Sequence, residues 1–574
     1  MTNSFLFLSR WALASVLAFS TFAHGQKNTE TRSPHDSAPE SSSASRVAPP
    51  HTPSGTADIE RELAEALTII EDNYVDGRRL DYNRTFKGAI NGMLRALDPH
   101  SNYYDSREFD EMRAERRSEY YGIGAAVGSL REGEKVETYI RATFKNSPAH
   151  QAGLRFGDHI VDADGQSMRG KSFEEVSKHL RGPRGTKVKV TVERLATGQV
   201  ETFEITRDAV SQPSIADAYM LRPGTGYVDL RLRGFNYTTG DELRSALEKL
   251  RAQGMTSLVL DLRDNPGGLL DQAIRVAEQF LPKGQMILNQ KGRRRDGATQ
   301  YKSGNDTPDT TPLVVLVNGG SASASEIVAG AMQDHDRALI VGETTFGKGL
   351  VQAVVPLQYG AGLALTVAKY YTPSGRLIQR DYGDGGLYNY YTRGGLLSQK
   401  DDPERPQVQS NKPVSRTDTG RVVYGGGGIT PDETVQPRPV VSAAQARLFH
   451  PVFAFTLELA AKRIKGFADY DLPRVMEYGY DLKATDFPVS DHLYKSFKEF
   501  VASKPAYKLS AAYLDRERRF IERQLRYDLA TASYGTVTAL RIFNMDDPQI
   551  NRAIEVLPRA RELAQSAKQS RKPS

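Results

Sequence analysis

The chain has 574 residues, 25% of them charged and 39% apolar, with a net charge of only +6. That length calls for about three or four domains, and a small charge without a long Lys/Arg run gives no reason to expect a nucleic-acid partner. There is no cysteine, which excludes disulfides, thiolate metal sites and thiol nucleophiles together. The ten histidines show no His-Glu-x-x-His spacing, so zinc hydrolysis lacks ligands, and no metal or organic cofactor is expected.

Residues 1–25 read as a secretory signal. Arg10 precedes a short apolar run from Trp11 to Phe22, and Ala23-His24-Gly25 fits a small-x-small cleavage site,. The run is too short to span a bilayer. The expectation is an exported protein, periplasmic or extracellular, cleaved after Gly25. Residues 26–57, rich in Ser, Pro, Thr and Ala, read as a disordered linker. From 58 to 118 the pattern is helical: Ile59, Leu63, Ala66, Leu67 and Ile70 recur at three- and four-residue intervals, as do Phe86, Ile90, Met93, Leu94 and Leu97 before Asp98-Pro99,. This segment reads as a packing or dimerisation unit with nothing chemical in it.

Residues 119–208 alternate short strands, turns and two helices. Tyr121-Gly-Ile-Gly-Ala-Ala-Val127 is a glycine-bearing loop running into a strand. Ser147 to Leu154 is a short helix, Phe173 to Leu180 a second one, and Lys187 to Arg194 a closing strand. This order resembles a PDZ domain, with Gly122, Ile123, Gly124 and Ala125 at the carboxylate-binding loop. Such a groove holds a peptide as an added β-strand while backbone N–H groups take its terminal carboxylate.

Residues 209–440 alternate strands and helices as an α/β sheet does. Leu258-Val-Leu-Asp-Leu262 is a buried strand ending in Arg263-Asp-Asn-Pro-Gly-Gly268. Leu313-Val-Val-Leu-Val317 runs through Asn318-Gly-Gly320 into Ser321-Ala-Ser-Ala-Ser-Glu326, and Thr345-Phe-Gly-Lys-Gly349 follows. Strand, tight turn and helix start would hold a serine hydroxyl beside free N–H groups, and a loop lysine would supply a base. Those parts suffice for acyl transfer without histidine. Ser321, Ser323 and Ser325 all compete. Ser323 also begins a Ser-x-x-Glu capping box with Glu326, and a lone box of that kind is usually only a cap. Gly342 to Lys348 comes near a phosphate-binding P-loop, but residue 349 is Gly where magnesium needs Ser or Thr,. His335 lies near the motif and offers a Ser-His alternative, but in a Gln-Asp-His-Asp stretch it reads as a surface residue. Residues 380–440 read as loops, and 441–567 as a helical C-terminal domain in which Leu514, Ile521 and Leu525 share a face and the arginines around them are solvated. Residues 568–574 read as a frayed polar tail.

Taken together, Ser321-Ala-Ser-Ala-Ser-Glu-Ile327, Gln333-Asp334, Arg337-Ala338, Gly342, Thr345-Phe-Gly-Lys-Gly349, Val351-Gln352, Asp261-Leu-Arg-Asp-Asn-Pro-Gly-Gly268 and Gly425 to Pro431 closely resemble the carboxyl-terminal processing, or tail-specific, proteases. The resemblance spans roughly residues 58–435 and implies a Ser/Lys serine peptidase with an embedded PDZ domain. It makes Ser323 the nucleophile, Lys348 the general base and Gln352 the residue that orients the lysine. It also gives the oxyanion donors as the N–H of Ala324 and of one of Gly267 and Gly268, with Gly267 favoured. Lys348 and Gln352, on one expected strand, should point to the same side. Lys348 must lose its proton near neutral pH, which requires shelter and no carboxylate partner.

The expected fold class is therefore multidomain α+β: a helical N-terminal segment, a PDZ-like β-rich domain, an α/β protease core and a helical C-terminal extension. Substrates are expected to be proteins with accessible C-termini. A second copy would associate through the helical termini, an adaptor protein is a further expected partner, and the C-terminal helices could dimerise, cage the site or bind a partner. Arg181 lies where the PDZ-like domain would touch the core, though a solvated turn arginine fits it equally. The competing function is a catalytically silent adaptor that binds C-termini.

Overall fold

Two apolar runs, Leu258–Leu262 and Leu313–Val317, become neighbouring strands of one sheet, and the rest of the chain is arranged around it. The computed structural model describes residues 55–76, 81–117, 119–293, 298–382, 390, 413–467, 470, 472 and 476–571. The expected signal sequence, its cleavage site and nearly all of the expected linker lie outside these residues.

The lead-in comprises α1 (Thr56–Asn73), α2 (Tyr82–Arg95), β1 (Asn102–Tyr104) and α3 (Ser106–Arg116). Asp98 shapes the turn between α2 and β1. Its Oδ1 accepts the N–H groups of His100 and Ser101, both at 2.8 Å, and its Oδ2 accepts the Ser101 hydroxyl at 2.6 Å.

The PDZ unit follows as β2 (Glu119–Gly122), β3 (Ala125–Glu132), β4 (Lys135–Thr143), α4 (Pro148–Gln151), β5 (His159–Ala163), β6 (Gln166–Ser167), α5 (Phe173–Leu180), β7 (Lys187–Glu193), β8 (Val200–Thr206) and β9 (Asp208–Ser211). Its sheet runs β3-β4-β5-β7-β8, with β6 on β5. The sheet closes over Ile140, Ile160, Val176, Leu180 and Val190. β2 and β9 pair antiparallel as the ribbon by which the chain enters and leaves. A capping box between Ser172 and Glu175 starts α5,.

The core contains β10 (Asp217–Arg222), β11 (Thr225–Asp229), α6 (Thr239–Ala252), β12 (Ser257–Asp261), α7 (Leu270–Glu278), β13 (Met286–Gly292), β14 (Ala298–Lys302), β15 (Leu313–Val317), α8 (Ala324–Asp334), β16 (Ala338–Gly342), β17 (Leu350–Pro356), β18 (Gly362–Tyr371), β19 (Val414–Arg416), β20 (Val422–Tyr424) and β21 (Glu433–Thr434). The central sheet has the order β10-β11-β12-β15-β16-β21. Only the β10/β11 pair is antiparallel. Strands covered on both faces need continuous apolar runs, and all of Leu313–Val317 is buried. Val228, Leu260, Val315 and Ile340 face α6, α7 and α8. Because successive side chains alternate, Tyr227, Val259, Val314, Leu316 and Val341 face the other way. A second sheet, β1-β18-β13-β14 with β17 also on β18, includes β13 and β14, which the sequence reading does not pick out. The 380–440 stretch, read as loops, also contributes the β19–β20 hairpin and β21.

The remaining helices are α9 (Ala443–Ala446), α10 (Phe449–Ala460), α11 (Asp491–Ala502), α12 (Ala511–Arg516), α13 (Arg518–Asn544) and α14 (Pro548–Ser570). α10 to α13 build a core of their own around Phe455, Phe497, Leu514, Ile521 and Leu525. α14 does not join it. Ile550, Ala553, Val556, Leu557 and Ala560 cover the second face of the central sheet, so burial assigns the last helix to the protease layer. The arginines of α13 are not a merely solvated face: Arg526 donates to the carbonyls of Ala484 at 2.9 Å and Asp486 at 3.1 Å, and Arg541 pairs with Asp217 at 2.7 Å. Within the expected polar tail, the described residues 568–571 are ordered: α14 continues to Ser570 and Arg571 bonds Asp418 at 3.0 Å.

Candidate active site

The site forms where β12 and β15 end, at the carboxyl edge of the parallel sheet, the usual ligand position in open α/β sheets. Asn318 locks the two post-strand loops together. Its Oδ1 accepts the N–H of Asp264 at 2.8 Å, and its Nδ2 donates to Asp264 Oδ1 at 3.0 Å.

The three serines are separated by their partners. Ser321 is fully buried and donates to Leu262 O at 2.7 Å; Ser325 is fully buried and donates to Asn265 O at 3.0 Å. Ser323 is partly exposed and sits at the head of α8 with φ 53° and ψ −111°. A non-glycine residue at positive φ is strained, and it is held there from both sides. Glu326 accepts the Ser323 N–H at 2.9 Å, and the Tyr370 hydroxyl lies 3.0 Å from Ser323 O and 2.8 Å from Lys348 O.

Glu326 does more than cap. Fully buried, its carboxylate also accepts the Thr345 hydroxyl and the N–H groups of Gly347 at 2.7 Å and Lys348 at 2.8 Å. Burial pushes its pKa up while these donors pull it down,. One side chain thereby fixes the serine turn and the lysine loop in a common frame.

Lys348 is partly buried and lies in the loop before β17. Its Nζ donates to Gln352 Oε1 at 3.0 Å. The expected same-side pairing is met, though not by strand parity, since Lys348 precedes the strand and the register shifts between Val351 and Gln352. Among the described residues no carboxylate forms an ion pair with Lys348. Burial pushes its pKa down to about 8, against opposing fields from Asp98 and Glu326. No hydrogen bond joins Ser323 Oγ to Lys348 Nζ among the described residues.

Of the two candidate glycines, Gly267 lies against the serine. A Cβ there would come within 2.6 Å of Ala322 O, 2.7 Å of Ser323 Cβ and 2.8 Å of Ala324 N, so only glycine leaves that space open,. Its own N–H, however, donates to Asn265 Oδ1 at 2.9 Å. The N–H groups of Gly268 and Ala324 have no hydrogen-bond partner among the described residues.

The lead-in, read as chemically silent, enters the site. Gln352 Nε2 donates to the carbonyl of His100 at 2.5 Å, across 252 positions of sequence. The His100 ring bonds Tyr390 Oη at 2.7 Å, and burial with the nearby Lys348 charge pushes its pKa down to about 3. Asp98-Pro-His-Ser101 after a helix was the available signal, but nothing local says which loop it meets. His335 is not a surface residue. It is buried at the opposite end of α8 from Ser323, bonded to Met286 O at 2.7 Å and Asp418 Oδ2 at 2.9 Å.

The carboxylate-loop residues run from Gly122, the last of β2, to Ala125, the first of β3. Gly124 O accepts the Ser147 hydroxyl at 2.8 Å and Ile123 O the Ala149 N–H at 2.7 Å. The N–H groups of Ile123 and Gly124 have no partner among the described residues. Arg181 lies 5.6 Å over the Tyr120 ring.

Two family models match: Peptidase family S41 over residues 224–385 and a PDZ domain over residues 140–194. The chain is 41% identical over 326 residues to a carboxy-terminal-processing protease of Bartonella bacilliformis, covering 56% of this chain and 71% of that protein. It is 37% identical over 309 residues to a carboxyl-terminal-processing protease of Synechocystis sp., covering 53% and 71%. The solved structure of a photosystem II D1 C-terminal processing protease is similar at 33% identity over 54% of this chain and 88% of that chain, with a TM-score of 0.31. Identity at this level over most of a relative's length is a property of a whole folded body rather than of one motif, and on that ground this chain belongs to the carboxy-terminal-processing proteases, serine-type peptidases of family S41 that carry a PDZ domain.

Proposed function

We propose that this C-terminal processing protease acts outside the cytoplasm and cuts by Ser/Lys acyl-enzyme chemistry, with Ser323 as nucleophile and Lys348 as general base. The observation that carries this reading is the state of Lys348: sheltered, without a carboxylate ion pair, held by a neutral amide at 3.0 Å and lowered to about 8. A useful fraction is then uncharged near neutral pH. The flexible lysine arm carries Nζ from Gln352 towards Ser323 when substrate fills the site, since such bonds often tighten only on binding. The neutral amine takes the hydroxyl proton as Oγ attacks the amide carbonyl. The oxyanion is held by the N–H of Ala324 and that of Gly268 or, if Asn265 releases it, Gly267. The ammonium then protonates the leaving amine, and a water activated by Lys348 hydrolyses the acyl ester.

The PDZ loop at Gly122 to Ala125 takes the substrate's terminal carboxylate in this reading, and its unpartnered Ile123 and Gly124 N–H groups support that role. Exposed Ile59, Leu63, Ile69 and Ile70 on α1 favour association with a second copy or an adaptor, which light scattering of the full chain tests. Export is tested by cell fractionation and by N-terminal sequencing, expected to begin at Gln26. The central experiment incubates the native chain, Ser323→Ala and Lys348→Ala with a denatured protein bearing an apolar C-terminus. Cleavage by the native chain alone is expected. Tail binding by an intact native chain without cleavage would favour the adaptor.

A further inference from the structure

β3 and α5 flank the expected peptide groove of the PDZ unit, and a main-chain group of β3 at its far end is occupied. β3 is an edge strand whose one neighbour in the sheet is β4. The turn Gly133-Glu134 joins the two, and the pairs Glu132↔Lys135, Leu130↔Glu137 and Gly128↔Tyr139 follow from it. At the other end, Gly124 O accepts the N–H of Phe144 at 3.0 Å. Main-chain groups in a strand alternate sides, so even-numbered residues bond to β4. Ala125, Val127, Ser129 and Arg131 present theirs to the free edge, where a peptide would add. One of these is taken: the N–H of Arg131 donates to Nδ1 of His450, near the start of α10, at 3.2 Å.

That contact is firmly backed. On the outer face of the β3–β4 pair, Arg141 bonds Asp528 of α13 and lies 3.9 Å over the Phe453 ring of α10. Lys504 reaches Glu132 at the hairpin at 3.0 Å. Arg463 donates to Leu195 O at 2.8 Å. An accepting Nδ1 needs a neutral ring, and burial together with the Arg131 and Arg141 charges pushes the His450 pKa down to about 4,.

We propose that the C-terminal helical domain, through His450, ends the PDZ groove beyond Ser129, so that this protease reads only about the last five residues of a substrate tail and turns the preceding chain out of the groove. The inference rests on the reading that Gly122 to Ala125 takes the terminal carboxylate. A peptide strand pairs through every second residue. With the carboxylate at Ile123 and Gly124, a tail running antiparallel to β3 pairs at Ala125, Val127 and Ser129 and then meets an occupied amide. Substrate choice is thus confined to a short terminal sequence, whatever lies upstream.

The test measures Kd by fluorescence anisotropy for the full-length Ser323→Ala chain and fluorescein-labelled peptides of about four, six, eight and ten residues sharing one Ala-Val-Val C-terminus. Affinity is expected to rise to about six residues and then to change by less than about twofold. Adding His450→Ala is expected to restore length dependence, with the ten-residue peptide bound about fivefold or more tighter than the six-residue one. Steady tightening from six to ten residues in the His450-containing chain overturns the proposal without any second variant. An unaltered plateau in a folded His450→Ala chain overturns it too. A C-terminally amidated peptide separates the two layers: undiminished binding removes the carboxylate reading itself, whereas loss on amidation without a length plateau removes only the inference about His450.

Discussion

Glu326 and Lys348 meet through the main chain and form no ion pair. The Glu326 carboxylate accepts the Lys348 backbone N–H at 2.8 Å, while the Lys348 ammonium end is turned to the Gln352 amide at 3.0 Å. The carboxylate shapes the lysine loop without forming the ion pair that would keep the amine protonated.

Glu326→Gln is expected to lose this frame. Four donors converge on the carboxylate, and a glutamine would oppose some of them with its own NH2. The cost is about 3 kcal/mol or more for the buried mismatch, and activity falls about 100-fold or further as the serine and lysine lose register. Urea unfolding and kcat measured on the same preparation check both.

As the proposed general base, Lys348 is expected to set the pH dependence. Its folded pKa of about 8 lies below the ordinary value of 10.5, so kcat/KM is expected to climb as pH rises towards 8 and to level off above it. The stability sign follows from the same shift. Below about 8 both native and unfolded lysines are protonated and the native one bears the desolvation cost; between there and 10.5 the native state sheds its proton first and stability recovers,. Lys348→Met is therefore expected to abolish cleavage yet stabilise the fold by about 1–3 kcal/mol at pH 7, a gain that shrinks at alkaline pH. Denaturant titrations at neutral and alkaline pH decide it.

At Gln352 the proposed positioning of Lys348 is separable from charge. Gln352→Ala removes the acceptor for Nζ and is expected to slow cleavage about 10- to 100-fold with little movement of the rising limb below pH 8. Gln352→Glu places a carboxylate where the amide oxygen stands 3.0 Å from Nζ and is expected to move that limb to higher pH. pH–rate profiles of both variants distinguish positioning from charge.

The last helix is expected to be indispensable to the core. Val556 and Leu557 are buried against the second face of the sheet. Val556→Asp should cost several kcal/mol by burying an unpaired charge, and truncation before Asp547 should leave a chain without a cooperative melt. Arg263, in the loop after β12, bonds both Asp547 and Gln549 at 2.8 Å, so the same truncation should also loosen the loop that carries the proposed oxyanion donors. Calorimetry and near-UV circular dichroism of the two variants provide the check.

Local signals carried far along this chain. The runs at 258–262 and 313–317 announce buried strands because nothing polar interrupts them, and Ser321 to Glu326 after Asn318-Gly-Gly320 announces a helix start that exposes a hydroxyl. Those patterns, with Lys348 and Gln352 downstream, delimit the chemistry. They do not choose among Ser321, Ser323 and Ser325, since that choice depends on Leu262 O and Asn265 O, carbonyls supplied by another loop.

What the order of residues settles unaided is whatever depends on neighbours within a few positions: strand runs, caps, glycine turns and the inventory of reactive groups. The folded body decides what depends on distant partners. It brings the His100 carbonyl to Gln352, spreads four donors around Glu326, commits the Gly267 N–H to Asn265, and lays α14 under a sheet that ended more than a hundred residues earlier. The reason is physical: desolvation and hydrogen-bond satisfaction act on whatever atoms pack together, and periodicity along a chain carries no address for the surface it will meet.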